Sequence, residues 1–280
     1  MKLIGLPADL VTRGCNCLKE NDQNVNIRVC MLASGSKGNA IYVSDGITSI
    51  LFDAGLSGKE LERRLTSRNL SPDSIRAIVV SHEHSDHIQG VGILARRYKI
   101  PVYINQQTYQ AAQNSLGAIS DAIHFTCGST FTIDDLTIHP FSISHDAHDP
   151  AGFTVKKNGT KLGIATDLGI ATSMVREHLK GCDILIIEAN HDSQMLTTGP
   201  YPWPLKQRVK SRAGHLSNDD TRDLLDDVKH EKLKHVILAH LSETNNTHEK
   251  AFSTVNQALS GSNSNLMVAR QDCSSKIIQV

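Results

Sequence analysis

Ser81-His82-Glu83-His84-Ser85-Asp86-His87 follows a compact apolar run, Ile75-Arg76-Ala77-Ile78-Val79-Val80, which reads as a β-strand. With a period of two, His82 and His84 can project from the same side of the chain. Asp86 and His87 lie just beyond, where the chain must turn before the helical spacing of residues 91–98. Four ligand-type side chains gathered at a strand end can bind metal with little chain entropy to lose. Histidine and carboxylate at this spacing match the needs of zinc or manganese. The alternative is a solvated polar loop.

Outward from this motif, short β-type runs interleave with amphipathic helices. Upstream, residues 27–32, 40–44 and 49–53 read as strands separated by the turn-forming stretches 34–39 and 45–48, and 58–70 as a helix with Leu61 and Leu65 four apart. Downstream, strands are expected at 101–104, 122–125, 129–133, 136–143, 151–157, 161–166, 183–189, 234–240, 266–270 and 276–280. Helices fall at 107–117, 172–180, around 209–212, at 218–231 and at 249–259. This alternation implies an α/β fold, with sheets covered by helices on their outer faces. No repeat, low-complexity segment or Pro/Gly linker divides residues 27–280, which read as one domain behind a polar, aperiodic extension, residues 1–26.

A chain of 280 residues can bury a sizeable core. Lys+Arg and Asp+Glu balance at 29 each, so no global field draws it to polyanions, and such contact must come from a local patch. No apolar run approaches the ~20 residues of a membrane span, and the N-terminus lacks a signal-peptide pattern, so the expected compartment is the cytoplasm. The cysteines (Cys15, Cys17, Cys30, Cys127, Cys182, Cys273) are scattered and read as reduced thiols. Histidine, at 14 residues, is what stands out.

His82-Glu83-His84-Ser85-Asp86-His87 resembles the H-x-H-x-D-H signature of metallo-β-lactamase-fold hydrolases. That resemblance implies a four-layer αβ/βα sandwich with metals at one edge. It also orders the rest of the chain. Asp53, at the end of 49–53, would brace the ligand loop. His145 resembles the third histidine of the first metal site, Asp167 the bridging carboxylate and His240 the last histidine of the second site. The implied set is His82, His84 and His145 on one divalent ion, and Asp86, His87 and His240 on another, with Asp167 between them. Zinc or manganese is expected, and iron is compatible. Two such ions acidify a shared water to near neutrality and stabilise attacking and leaving oxygens.

Further positions narrow the chemistry. The superfamily's lactamases generally lack a ligand histidine after the Asp, whereas its phosphodiesterases, nucleases and glyoxalase-II-type thioesterases carry one, as here at His87. Its oxygen-reducing diiron members replace the second histidine by Glu, which here is His84. His215 resembles a non-ligand histidine of the family's nucleases that assists the leaving group; the alternative is a surface residue beside the N-cap chemistry of 216–220. Asp86 is the second catalytic candidate, orienting the nucleophile or accepting its proton. The segments 32–40, 81–87, 145–147, 166–169, 188–192, 195–196, 199–202, 214–218 and 238–246 together resemble the YycJ/WalJ branch, described as DNA exonucleases acting 5′ to 3′.

Several residues stay open on sequence alone. Glu188, Asn190, His191 and Asp192 read either as ligand-orienting groups or as a polar strand end. Ser34, Ser36 and Asn39 either bind a phosphate or shape a hairpin. His148 is an alternate ligand to His145, while His124, His139, His178, His230, His235 and His248 read as surface or core residues. Lys206 with Lys210, and Arg208 with Arg212, would make basic helix faces suited to a DNA backbone, or simply solvated ones. Residues 146–166 leave no room for the arm that tRNA-processing relatives insert there. That leaves a compact nuclease or phosphodiesterase, and the YycJ/WalJ resemblance implies DNA as the partner, with no membrane. A small-molecule phosphodiesterase or thioesterase is the first alternative, and a non-catalytic binding protein the second.

Overall fold

Strands that are apolar at every position need cover on both faces, and this chain supplies it. The computed structural model describes residues 26–280; Cys15, Cys17 and the reading of the extension before Asn26 lie outside them. Six strands build the first sheet in chain order: β1 (Arg28–Ala33), β2 (Ala40–Ser44), β3 (Ser49–Phe52), β4 (Ile75–Val79), β5 (Val102–Asn105) and β6 (Ala122–Phe125). The second sheet holds β7 (Phe131–Ile133), β8 (Leu136–Ser142), β9 (Ala151–Lys157), β10 (Thr160–Ala165), β11 (Ile184–Glu188), β12 (His235–Ala239) and β13 (Asn265–Val268). The last strand, β14 (Ile278–Gln279), returns to the first sheet and pairs antiparallel with β1. Both sheets are mixed, with β3 to β6 parallel in one and β10 to β13 parallel in the other.

Side-chain alternation divides each strand between two cores. In β11, Ile184 and Ile186 enter the inter-sheet core with Phe52, Val79 and Phe153, while Leu185 and Ile187 face the helices. The outer face of the first sheet packs on α1 (Gly58–Thr66), α3 (Val91–Tyr98) and α4 (Gln106–Leu116), through Leu61, Leu65, Leu94 and Leu116. The outer face of the second packs on α5 (Ser173–Leu179), α8 (Asn218–Val228) and α9 (His248–Val255), through Val175, Leu224, Leu225 and Val255. Helix, sheet, sheet, helix: this is the four-layer sandwich. Three short helices frame its edge, namely α2 (Ser85–Ile88), α6 (Ser193–Thr198) and α7 (Trp203–Lys210). The first two carry no sequence periodicity long enough to betray them.

The C-terminal segment covers the outer edge of β1. Ser275 N and Oγ pair with the Met31 carbonyl and amide, and Val280 exchanges backbone bonds with Ile27. Among the described cysteines, Cys30, Cys127, Cys182 and Cys273 are all free.

Candidate metal centre

Parallel strands deliver their C-terminal ends to one edge, and the candidate residues follow those ends. β4 stops at Val79, so His82 and His84 lie in the loop beyond it rather than on the strand itself. Loop curvature, not strand alternation, brings their rings together, with His82 Nε2 3.1 Å from His84 Nδ1. His84 is the N-cap of α2, and Asp86 and His87 sit in its first turn. His145 follows β8, and its Nε2 lies 3.3 Å from His84 Nδ1. Asp53, Asp167 and His240 follow β3, β10 and β12 with φ of 59°, 57° and 56°. The left-handed region is costly for residues other than glycine and is retained where surroundings enforce it, often at functional sites.

Four overlapping groups of ligand-type atoms meet here: Asp167 falls in one with His82 and His87 and in another with Glu188, His215 and His240, and two more flank it. His82, His84 and His145 form one; Asp86, His87 and His240 form the other, with His87 Nε2 and His240 Nε2 at 3.5 and 3.6 Å from Asp86 Oδ2. Asp167 reaches into both. Its Oδ2 lies 3.3 Å from His87 Nε2, and its Oδ1 lies 3.3 Å from His240 Nε2 and 3.8 Å from His145 Nε2. Asp167 Oδ2 and His240 Nε2 are buried without a hydrogen-bond partner. Buried polar atoms are normally paired, so this donor set, rich in imidazole and carboxylate, fits divalent cations.

Carboxylates behind the cluster fix the rings. Asp53 Oδ2 accepts from His87 Nδ1 at 2.7 Å and from Ser81 Oγ at 2.8 Å, and its Oδ1 accepts from the Ser81 amide at 2.8 Å. Ser81 Oγ also lies 2.9 Å from His82 Nδ1. Glu188, fully buried at the end of β11, takes His215 Nδ1 at 2.7 Å and His240 Nδ1 at 2.9 Å on one oxygen. Its other oxygen accepts the amides of Leu168 and Leu216. His145 Nδ1 donates to the Gly214 carbonyl at 3.1 Å. Such partners set the tautomer and direction of a ligating ring.

The charges are balanced by proximity. Burial opposes protonation of His87, but Asp167, Asp53 and Asp86 outweigh it and raise the imidazole to about 9. His240 is likewise raised against burial by Asp167, Asp86 and Glu188. His82 goes the other way, pushed well down by burial and then by the neighbouring histidines. Burial also disfavours a charged His215, yet Glu188 holds it above its ordinary value.

A Beta-lactamase superfamily domain matches residues 48–241, a stretch that holds every residue of the cluster. The chain belongs to the metallo-β-lactamase superfamily. It is 39% identical over 237 residues to the exodeoxyribonuclease YycJ of Bacillus anthracis, covering 84% of this chain and 90% of that one. Identity to the exodeoxyribonuclease WalJ of Streptococcus pneumoniae is 41% over 238 residues, covering 83% and 88%. Among solved structures, the metallo-β-lactamase fold protein YhfI of Bacillus subtilis superposes with a TM-score of 0.72 at 15% identity, covering 91% of this chain and all of that one, which shows the shared fold. As a hydrolase of this superfamily, the chain has His/Asp clusters able to bind metal. Among the described residues, no helix is long and apolar enough to cross a membrane.

The same geometry resolves the positions left open by sequence. His148 stands apart from the ligand groups. Its Nδ1 donates to Glu83 Oε1 at 2.7 Å on the exposed rim. Glu188 orients rings, whereas Asn190 Nδ2 donates to the His240 carbonyl, and Asp192 caps α6 and pairs with Lys250. Ser34 Oγ accepts from the His240 amide, and the Asn39 amide donates to the Asp86 carbonyl, so the 34–39 turn braces both ligand loops while Ser36 is exposed. Gly55 allows that contact: a Cβ there would sit 1.6 Å from the Asp86 carbonyl oxygen. The other histidines set aside above belong to none of the ligand groups.

The two basic pairs separate. α7 ends at Lys210, so Arg212 lies beyond the helix and shares no face with Arg208. Lys206 and Lys210 donate to Thr197 at the end of α6, and Arg208 reaches Asp146 Oδ2 at 2.5 Å, beside His145. Ser81, the Gly214 carbonyl and Asp146 escaped the sequence reading; only Ser81, the first residue of the motif stretch, carried a signal there.

Proposed function

We propose that residues 27–280 form one dinuclear, metal-dependent phosphodiesterase domain that acts as a DNA exonuclease, digesting 5′ to 3′ as the family resemblance implies. The observation that carries this reading is Asp167, poised between two imidazole-rich groups with two buried donor atoms left over. The YycJ and WalJ relatives, named exodeoxyribonucleases, supply the substrate class. In this reading His82, His84 and His145 hold one ion, Asp86, His87 and His240 the other, and Asp167 lies between. Zinc and manganese both suit these donors. When bound, such cations lend positive charge to phosphoryl oxygens and acidify water.

The protein's own groups do the rest. Asp86, held as a carboxylate against burial by His240 and His87, orients the nucleophile and can take its proton. His215 keeps Nδ1 on Glu188, which leaves Nε2 to donate a proton to the departing alkoxide. The reading places the protein in the cytoplasm, where free thiols persist.

A small-ester substrate is the second reading, favoured by Lys206 and Lys210 resting their amines on Thr197 at the end of α6. One assay separates the two. Metal-reconstituted protein, with Asp86→Ala as control, is given end-labelled single- and double-stranded DNA and a chromogenic phosphodiester. Stepwise release of nucleotides that vanishes in Asp86→Ala is expected. Turnover of the small ester with intact DNA would sink the nuclease.

A further inference from the structure

The chain has one tryptophan, and it is 70% exposed. Trp203 opens α7 within Pro200-Tyr201-Pro202-Trp203-Pro204, where three prolines fix the backbone. A large apolar ring held out to solvent on a rigid stem contributes little to the core, but it loses little entropy on meeting a ligand.

The helix that bears it leads to the metal centre. α7 contains Lys206, Arg208 and Lys210 and no acidic residue. Among the described residues Lys206 and Lys210 have no carboxylate partner, their amines resting on Thr197. Arg208 reaches Asp146, beside His145. At its far end the helix abuts the His215 segment: the His215 amide donates to the Val209 carbonyl at 2.9 Å. A Cβ on Gly214 would lie 2.2 Å from that same oxygen, so the two segments are in close contact. From Trp203 to Val209 is about 9 Å of helix, the span of two or three base steps at ~3.4 Å each.

An exposed aromatic followed by two lysines that have no carboxylate partner, on one rigid element leading to the proposed phosphate-cleaving site, is the chemistry that holds single-stranded nucleic acid. We propose that Trp203 is a stacking platform for a base of the substrate strand, and that α7 guides that strand's backbone from Trp203 to His215. This inference rests on the nuclease reading above.

Because Trp203 is the sole tryptophan, its emission reports the contact directly. A phosphorothioate single-stranded oligodeoxynucleotide added to the metal-loaded protein is expected to quench it saturably. No change in emission while a dye-labelled copy of the oligonucleotide binds would overturn the proposal. So would emission that responds to protein dilution and not to DNA, which would assign Trp203 to self-association.

Kinetics provide the second arm. In Trp203→Ala, kcat/KM for the oligonucleotide relative to that for the chromogenic ester should fall about tenfold, as expected for one lost base stack. Trp203→Phe should recover most of it. Wild-type DNA cleavage with an unmoved ratio in Trp203→Ala defeats the stacking platform alone. Ester turnover without any DNA cleavage defeats the nuclease reading, and the platform with it.

Discussion

Glu188 serves two histidines with a single oxygen, 2.7 Å from His215 and 2.9 Å from His240. A glutamine there keeps the shape but loses the charge that favours the proton on His215. Its group is raised, so as a proton donor it stays loaded to a higher pH and activity falls as pH climbs through that value. Glu188→Gln should lower kcat/KM by roughly 10–100-fold and move this alkaline fall to lower pH. A pH–rate profile reduced in height but not displaced would remove Glu188 from the proton's management. His87 yields a second expectation. With its imidazole at about 9, the metal-free protein at neutral pH carries a proton that an incoming cation must displace. Metal affinity should therefore rise with pH across the neutral range and through about 9, His240 holding a second such proton, with proton release seen by calorimetry in buffers of different ionisation heat. Affinity flat across that window would contradict it.

Elements deliver these residues, and here the sequence was uneven. The run from His82 to His87 was readable from its own residues, whereas His145, Asp167 and His240, each after an apolar run, became ligand candidates through the family resemblance. The left-handed turns at Asp53, Asp167 and His240 were not, since nothing in side-chain pattern marks a positive φ on a residue other than glycine. Nor was the end of β4 at Val79, because Val80 and Ser81 continue the run without a breaker. Arg212 was misplaced for a like reason: the charge spacing continues past Lys210, but the helix does not.

Helix α1 offers a test of local electrostatics. Glu60 accepts from Arg63 and from Arg64, whose buried guanidinium also donates to the Leu32 and Gln271 carbonyls. Arg63 and then Arg64, working against burial, lower Glu60 from 4.5 to about 2. A depressed carboxyl stabilises the fold above its unfolded value and stops doing so as pH drops through the folded one. Glu60→Gln should thus cost about 1 kcal/mol at neutral pH, screening by solvent included. In urea titrations the gap should close between pH 4.5 and about 2. A gap independent of pH would deny the ionic origin.

At the scale of the molecule, sheets covered by helices were legible because buried strands such as β11 are apolar from Ile184 to Ile187, as two-sided cover requires, while the four-layer order came with the family resemblance. The candidate metal centre lies where the layers meet. Asp53 and His87 come after strands of the first sheet, Asp167 and His240 come after strands of the second and Glu188 ends one, so cations bound among them would act as a clasp. Chelation should lower the melting temperature. At free metal one hundred times the dissociation constant the loss is about 2.7 kcal/mol. Identical melting with and without chelator would rule the clasp out.

The hem along β1 has a practical corollary for anyone who trims or tags this chain. Ser275 to Val280 occupy hydrogen-bonding groups that would otherwise line a bare strand border. Cutting them away should leave a six-residue template open to neighbouring chains. The shortened protein is expected to form soluble aggregates on size-exclusion chromatography while retaining its metal ligands, and a monodisperse peak would refute it. Fusions are better spaced from Val280 by a flexible tether than joined flush to it.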